Sequence, residues 1–280
     1  MRTERSGCPS FAEQLHPGYL RSLVHVHMKI VSFNVNGIRA AVGKGLVPAL
    51  QALDADVFGF QETKATPEQV VEALAGLSGY QVHAYGAQKA GYSGTAIVSR
   101  IAPERVEYGI GMPGHDDEGR VVTAWFKEAI VVTVYTPNSG EGLKRLPYRG
   151  EWDAAFRSYA SGLLKHGRPV VLCGDLNVAH QHIDIARPKA NYNKTAGFTQ
   201  QEIDGMDALL AAGFVDSFRS LNPDTIKYSW WSFRGGARSK NIGWRIDYAL
   251  VSKAHLSKLK EAFILNEVMG SDHCPVGITW

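Results

Sequence analysis

The sequence predicts an α/β protein of stacked layers whose sheets are partly antiparallel. Three observations carry this expectation. Short strand-like apolar runs recur from residue 29 to the end of the chain. Helical patterns separate some of these runs, while others follow one another through short turns. No GxxxxGK[ST] or GxGxxG phosphate loop is present, which argues against a nucleotide-binding, doubly wound sheet.

Residues 1–27 show no sustained period and lack the apolar core of a secretion signal, so a flexible extension is expected there, with Met28 a candidate translational start. Strands are then expected at KIVSFNV (29–35), DVFGFQE (56–62), GTAIVS (94–99), VVTAWF (121–126), IVVTVYTP (130–137), PVVLCGD (169–175), RIDYALVS (245–252) and PVGITW (275–280). Helices are expected over 46–55, where apolar residues recur at three- and four-residue spacings, and over 67–77, where Thr66 can cap and Pro67 fits the first turn. Two more are expected over 151–167, ending at Gly167, and over 199–213, where Thr199 and Glu202 have the spacing of a capping box. No Pro/Gly-rich linker, internal repeat or low-complexity stretch divides the chain after residue 28.

At 280 residues and 45% hydrophobic content, the chain can bury a sizeable core. Its net charge of +3 permits a polyanionic partner without requiring one. Cys8, Cys173 and Cys274 are odd in number and form no CxxC, so neither a disulfide framework nor a zinc site is expected, and a reducing, cytoplasmic setting fits. No apolar run is long enough for a membrane span.

The residues that end the strands are the most informative. Asn34 and Asn36 follow the first, and Gln61, Glu62 and Lys64 the second. Tyr135 and Asn138 end another, Asp175 and Asn177 the next, with Asp184 further on. Asp247 lies inside an apolar strand, and Asp272 and His273 stand at the entrance to the last. Any one of these reads as a turn former or a structural histidine; their recurrence across six strands does not. An Asp between Ile246 and Tyr248 is costly to bury without a partner. Successive residues on an extended chain face opposite ways, so the adjacent Asp272 is poorly placed to orient the His273 ring. Asp247 is therefore expected to hold His273, leaving Asp272 to a metal site or the turn.

This inventory lacks a Ser or Cys nucleophile with a base. Carboxylate and amide oxygens suit Mg²⁺, with Mn²⁺ a substitute, better than zinc. A hard cation beside Asp, Asn and His suits phosphodiester hydrolysis.

The motifs SFNVNGIRA, QETK, YTPNSGEGLKRLPYR, GDLNVAHQHID, AGFTQQE, SKNIGWRIDY and SDHCPV, in this order, resemble the exonuclease III family of apurinic/apyrimidinic (AP) endonucleases, within the endonuclease/exonuclease/phosphatase superfamily that includes deoxyribonuclease I. The resemblance spans 28–280 as a single domain. It implies a four-layered α/β sandwich, two mixed sheets packed face to face and flanked by helices. It implies Glu62 as principal metal ligand, with Asn36 and Asp272 nearby and Asn34 beside them. Asp175 would activate or position the attacking water, and Asn177 would hold the phosphate or Asp175. Tyr135 and Asn138 would contact the scissile phosphate, Asp247 and His273 would form a pair, and Asp184 would organise its loop. Either Asp175 or His273 is the base.

The segment from Lys227 to Arg245 carries five Lys or Arg and no acid, interleaved with Tyr228, Trp230, Trp231, Phe233 and Trp244. Such a mixture suits a nucleic-acid surface, with Arg234, Arg238 and Lys240 on the backbone. A second basic stretch, Lys144, Arg145 and Arg149, is expected to touch it too. By resemblance, Trp230, Trp244 and Ile246 line a pocket for a flipped-out abasic sugar. Glu141 stands where some relatives carry a basic residue that inserts into DNA. The expected activity is a Mg²⁺-dependent DNA-repair nuclease, acting as a monomer on double-stranded DNA at abasic sites or 3′-blocked ends. It would cut 5′ to the abasic site, with 3′→5′ exonuclease and 3′-phosphatase action besides. A phosphatase for phospholipid or inositol headgroups is the enzymatic alternative. A non-catalytic abasic-DNA-binding module is the other.

Overall fold

The computed structural model describes residues 28–280; the extension expected over 1–27 lies outside them. In chain order the strands are β1 (Lys29–Asn34), β2 (Val57–Gln61), β3 (Gln81–Tyr85), β4 (Thr95–Ser99), β5 (Arg105–Tyr108), β6 (Val121–Trp125), β7 (Ile130–Tyr135), β8 (Val170–Asp175), β9 (Phe214–Asp216), β10 (Asp247–Ser252), β11 (Glu261–Ile264) and β12 (Val276–Thr279). The helices are α1 (Ile38–Gly43), α2 (Leu46–Leu53), α3 (Pro67–Ala73), α4 (Leu146–Leu164), α5 (Pro188–Asn191), α6 (Gln200–Ala211) and α7 (Ser217–Leu221).

The strands form two mixed sheets, ordered β11-β12-β1-β2-β4-β3 and β5-β6-β7-β8-β10-β9. Strand alternation builds the layers. In β1, Ile30 faces the second sheet and, beside its sheet neighbour Val57, packs in one cluster with Val131, Val171 and Cys173. Val31 and Phe33 point the other way, onto Ile38, Leu50 and Val70 of α1 to α3. In β8, Val170 and Leu172 likewise face Trp152, Phe156 and Leu209 of α4 and α6. Two sheets with helices outside each make the four-layered sandwich. Gly59 is needed where the sheets approach, because a Cβ there would come within 2.9 Å of Thr133 Oγ1.

The capping box at Thr199 is present, with the Thr199 N–H donating to Glu202 Oε2 at 3.0 Å and the Glu202 N–H to Thr199 Oγ1 at 3.3 Å. Helix α4 starts at Leu146, before the expected residue 151. Pro147 sits in its first turn, where a missing N–H costs nothing.

Strand direction positions the site. The pairs β1/β2 and β7/β8 are parallel, so their C-terminal ends share one rim. Strand β10 is antiparallel to β8, and β12 to β1, so both enter from that rim. Asp247 thus stands opposite Asp175, and Tyr135 beside it.

Candidate active site

Asp175 lies at the centre of this rim and is buried. Its Oδ1 accepts the Asn177 backbone N–H at 2.9 Å, and its Oδ2 accepts Asn34 Nδ2 at 3.0 Å. The same Asn34 amide donates to Glu62 Oε1 at 2.9 Å, joining the two sheets' carboxylates through one side chain. Asn138 Nδ2 donates to Asn177 Oδ1 at 2.8 Å, and Asn177 Nδ2 to the Thr136 carbonyl at 2.9 Å, which fixes both amides. Asn36, Glu62, Lys64 and Asn177 hold φ values of 47°, 51°, 51° and 48°. A left-handed backbone at four non-glycine residues is strain concentrated where the side chains must converge.

His273 Nδ1 lies 2.9 Å from Asp247 Oδ2, and its Nε2 points towards Asp175 Oδ2 at 3.9 Å. Ser229 completes the pair: its hydroxyl donates to Asp247 Oδ2 at 2.7 Å while accepting the Ile246 and Asp247 N–H groups. Asp272 lines the same pocket as His273 without bonding its ring, and accepts Asn36 Nδ2 on Oδ1 and the Trp230 indole N–H on Oδ2.

These surroundings separate the charges. Burial, then repulsion from Asp247, pushes the Asp175 carboxyl up to about 7, with His273 opposing. Burial disfavours the His273 cation, but the charge and hydrogen bond of Asp247 outweigh it and raise the ring well above its ordinary value. The Tyr135 phenol is pushed up by burial and by Glu62 and Asp175, so it stays a donor. Burial works against the Glu62 anion, yet Asn34 and Lys64 hold its carboxyl below the usual range.

Glu62, Asp175 and His273 bring ligand atoms within 4.8 Å of one another. A hard divalent cation fits the carboxylate oxygens of this set. It does not fit the imidazolium, which Asp247 keeps protonated, so His273 is set aside as a ligand. Lys64 bridges Glu62 at 2.8 Å and donates to Asn36 Oδ1. Asn36 thus presents its oxygen to an ammonium beside Glu62.

Trp230, Trp244 and Ile246 line a cavity of about 220 Å³ together with Glu62, Tyr135, Asn138, Asn177, Asp272 and His273. The two indoles meet edge to face at 6.0 Å. Thr195, Ala196 and Gly197 complete the lining.

Not every expected contact is at the surface. Arg149 is buried, holding Asp153 at 2.8 Å and donating to the carbonyls of Pro137, Asn177 and Leu176. It braces the loops that carry Asn138 and Asn177 and has no free face for DNA. Arg238 stacks on Trp231 and gives its donors to the carbonyls of Ser271, Asn266 and Val268. It is part-buried, and its donors go to these carbonyls in place of a backbone phosphate. Arg245, counted in the basic segment, is buried against Asp184 at 2.7 Å and Asp216 at 2.8 Å. Arg145 is half-buried and paired with Glu118 at 3.0 Å. Lys144, Arg234 and Lys240 are exposed.

Ser229 and the 195–197 wall were not singled out from sequence, and Lys64 was named as a strand-end residue without a role. The only signal for Ser229 is a small hydroxyl between Tyr228 and Trp230; for the wall it is the AGFTQQE motif.

Residues 31–273 match the family described as Endonuclease/Exonuclease/phosphatase. The chain is 51% identical over 253 residues to an exodeoxyribonuclease of Bacillus subtilis, covering 89% of this chain and 98% of that one. It is 48% identical over 254 residues to the DNA repair nuclease APEX1 of Danio rerio, covering 89% and 81%. Among solved structures, an AP endonuclease from Archaeoglobus fulgidus superposes with a TM-score of 0.82 at 28% identity, covering 90% and 98%. A 3′ phosphatase from Neisseria bound to product DNA hairpin gives 0.81 at 28%, with the same coverage.

Proposed function

Because this chain belongs to the endonuclease/exonuclease/phosphatase family, we propose that its rim hydrolyses DNA phosphodiesters 5′ to abasic sites, leaving a 3′-hydroxyl. The enzyme is a hydrolytic DNA-repair nuclease. Exonuclease and 3′-phosphatase action at 3′ ends extend the same chemistry to other leaving groups.

One observation carries the reading: Asp175 stands among Asn34, Asn177 and His273, and of these Asn177 and His273 also line a pocket walled by Trp230, Trp244 and Ile246. The cavity of about 220 Å³ is smaller than the roughly 300–1,000 Å³ of sites that take whole drug-sized ligands, which favours a bare sugar over a complete nucleotide. An abasic nucleotide is also the cheapest to extrude, since no base pair is broken.

Asp175, poised near neutrality by burial, takes the proton of the attacking water as the water oxygen bonds to phosphorus. His273 is held as the imidazolium by Asp247 and Ser229, and its Nε2–H stabilises a non-bridging oxygen. Tyr135, Asn138 and Asn177 orient the phosphate, the P–O3′ bond breaks, and O3′ takes a proton from solvent to leave as the 3′-hydroxyl. A divalent cation held by Glu62, with Asp272 and Asn36 close by, would neutralise phosphate and leaving-oxygen charge; Mg²⁺ fits these oxygen donors and Mn²⁺ can replace it. Exposed Lys144, Arg234 and Lys240 supply positive charge along the duplex path.

The test is digestion of an abasic duplex beside an undamaged 3′-recessed duplex and inositol phosphates, in Mg²⁺ and then EDTA. Incision of the abasic strand that EDTA stops supports the reading. Hydrolysis of inositol phosphates alone, or duplex binding without cleavage, overturns it.

A further inference from the structure

Two parts of the rim, the sugar pocket and the acidic cluster, are joined by a continuous line of hydrogen bonds. It starts in the pocket wall, where the Trp230 indole Nε1–H donates to Asp272 Oδ2 at 3.1 Å. Asp272 Oδ1 accepts Asn36 Nδ2 at 2.9 Å and Ser271 Oγ at 3.2 Å. Asn36 Oδ1 accepts the Lys64 ammonium, which also contacts Glu62 Oε2 at 2.8 Å. Trp244 forms the same wall but makes no bond to Asp272.

A carboxylate held on only one oxygen can rotate about its terminal torsion, which is broad and roughly two-fold. Asp272 is held on both, and the group holding the second oxygen belongs to the pocket. A phenyl ring would fill the same wall but could not donate. The indole N–H therefore does something the ring alone does not.

We propose that Trp230 is a positioning residue for the acidic cluster: its N–H locks Asp272, and through Asn36 and Lys64 sets the oxygen atoms beside Glu62 that receive the cation. The proposal rests on the nuclease reading for the identity of the site, but its test does not depend on cleavage. The tryptophan thus serves substrate and cation together. Its ring bounds the sugar, and its N–H fixes the side chains on the phosphate side. Outer groups that orient metal-binding residues are worth roughly 10- to 100-fold in metal affinity when removed.

The experiment is a Mn²⁺ titration of the DNA-free, full-length protein, followed by the electron-spin resonance of free Mn²⁺. Trp230→Phe and Asp272→Asn should each weaken binding by roughly 10-fold. The double variant should be no weaker than Asp272→Asn alone, because one interaction has been removed twice. Trp244→Phe deletes an indole N–H from the same wall and should bind Mn²⁺ as the parent does. Undiminished Mn²⁺ affinity in a folded Trp230→Phe, or fully additive losses in the double variant, overturns the proposal. Should Trp230→Phe fail to fold, unchanged affinity in Asp272→Asn overturns it equally. Abasic incision by the parent protein is read separately, so loss of this inference leaves the nuclease assignment standing, while absence of incision removes that assignment.

Discussion

His273 and Asp247 are 26 residues apart in sequence, yet His273 Nδ1 lies 2.9 Å from Asp247 Oδ2 with both side chains buried. Asp247 opens β10 in the second sheet, and His273 precedes β12 in the first, so the bond crosses the sandwich at its active rim. An ionised carboxylate can only accept, which makes Nδ1 the donor and turns Nε2 towards Asp175. Replacing Asp247 with Asn removes the charge that holds the imidazolium. Asp247→Asn and His273→Ala should each lower kcat by roughly 10²- to 10³-fold, the cost of losing a transition-state donor. Single-turnover cleavage of abasic duplex measures it, and near-parental rates in His273→Ala would remove the donor role.

Asp175→Asn should lower kcat by roughly 10²- to 10⁴-fold, the range for a general base. It should also raise thermal stability near neutral pH. The Asp175 carboxyl is pushed up to about 7 from the ordinary carboxylate value. A carboxyl raised in the folded state binds its proton more tightly there, so its charge lowers stability as pH rises from the unfolded value to about 7. The neutral amide escapes that loss. A lower Tm for Asp175→Asn than for the parent at neutral pH contradicts the electrostatic account.

The pH profile follows from the same group. Only ionised Asp175 can accept a proton, so kcat/KM should fall as pH drops through about 7. His273, raised by Asp247, remains protonated through neutrality and should impose no loss there. An initial-rate profile that rises on acidification is the opposing result.

Glu62→Gln and EDTA should both suppress cleavage, with added Mg²⁺ restoring the chelated parent and restoring Glu62→Gln only in part. Circular dichroism should show the chelated parent still folded, since the core owes nothing to the cation. Undiminished cleavage in EDTA rules out the metal-assisted chemistry.

Arg149 should behave as a structural residue. Removing one partner from a buried ion pair costs about 3–5 kcal/mol, so Arg149→Met should lower Tm markedly. The salt dependence of DNA binding should keep its slope. Exposed Lys144 and Arg234 should do the reverse, with alanine substitutions lowering that slope by about 1 each and leaving Tm in place. Fluorescence titrations across a salt series separate the two groups.

What the sequence by itself determined is the interior and the list of polar strand ends. Every strand expected from an apolar run is present. The eight central strands β1, β2, β4, β6, β7, β8, β10 and β12 are buried nearly throughout, and double-sided burial is what makes a continuous apolar run legible. The strands not anticipated are β3, β5, β9 and β11, which are the four sheet edges. Edge strands face solvent on part of their surface, so polar residues dilute the signal. Strand alternation also pointed to Asp247, not the adjacent Asp272, as the partner of His273. Tertiary structure alone decided which arginines reach the surface. Arg149 and Arg238 read as backbone contacts, and Arg245 as part of the basic segment, because a cation reads the same whether water or a protein oxygen satisfies it. Only packing brings Asp153, Asp184 and the loop carbonyls to them. The same holds for Ser229 on Asp247 and Trp230 on Asp272, bonds between segments whose proximity is set by how two sheets stack.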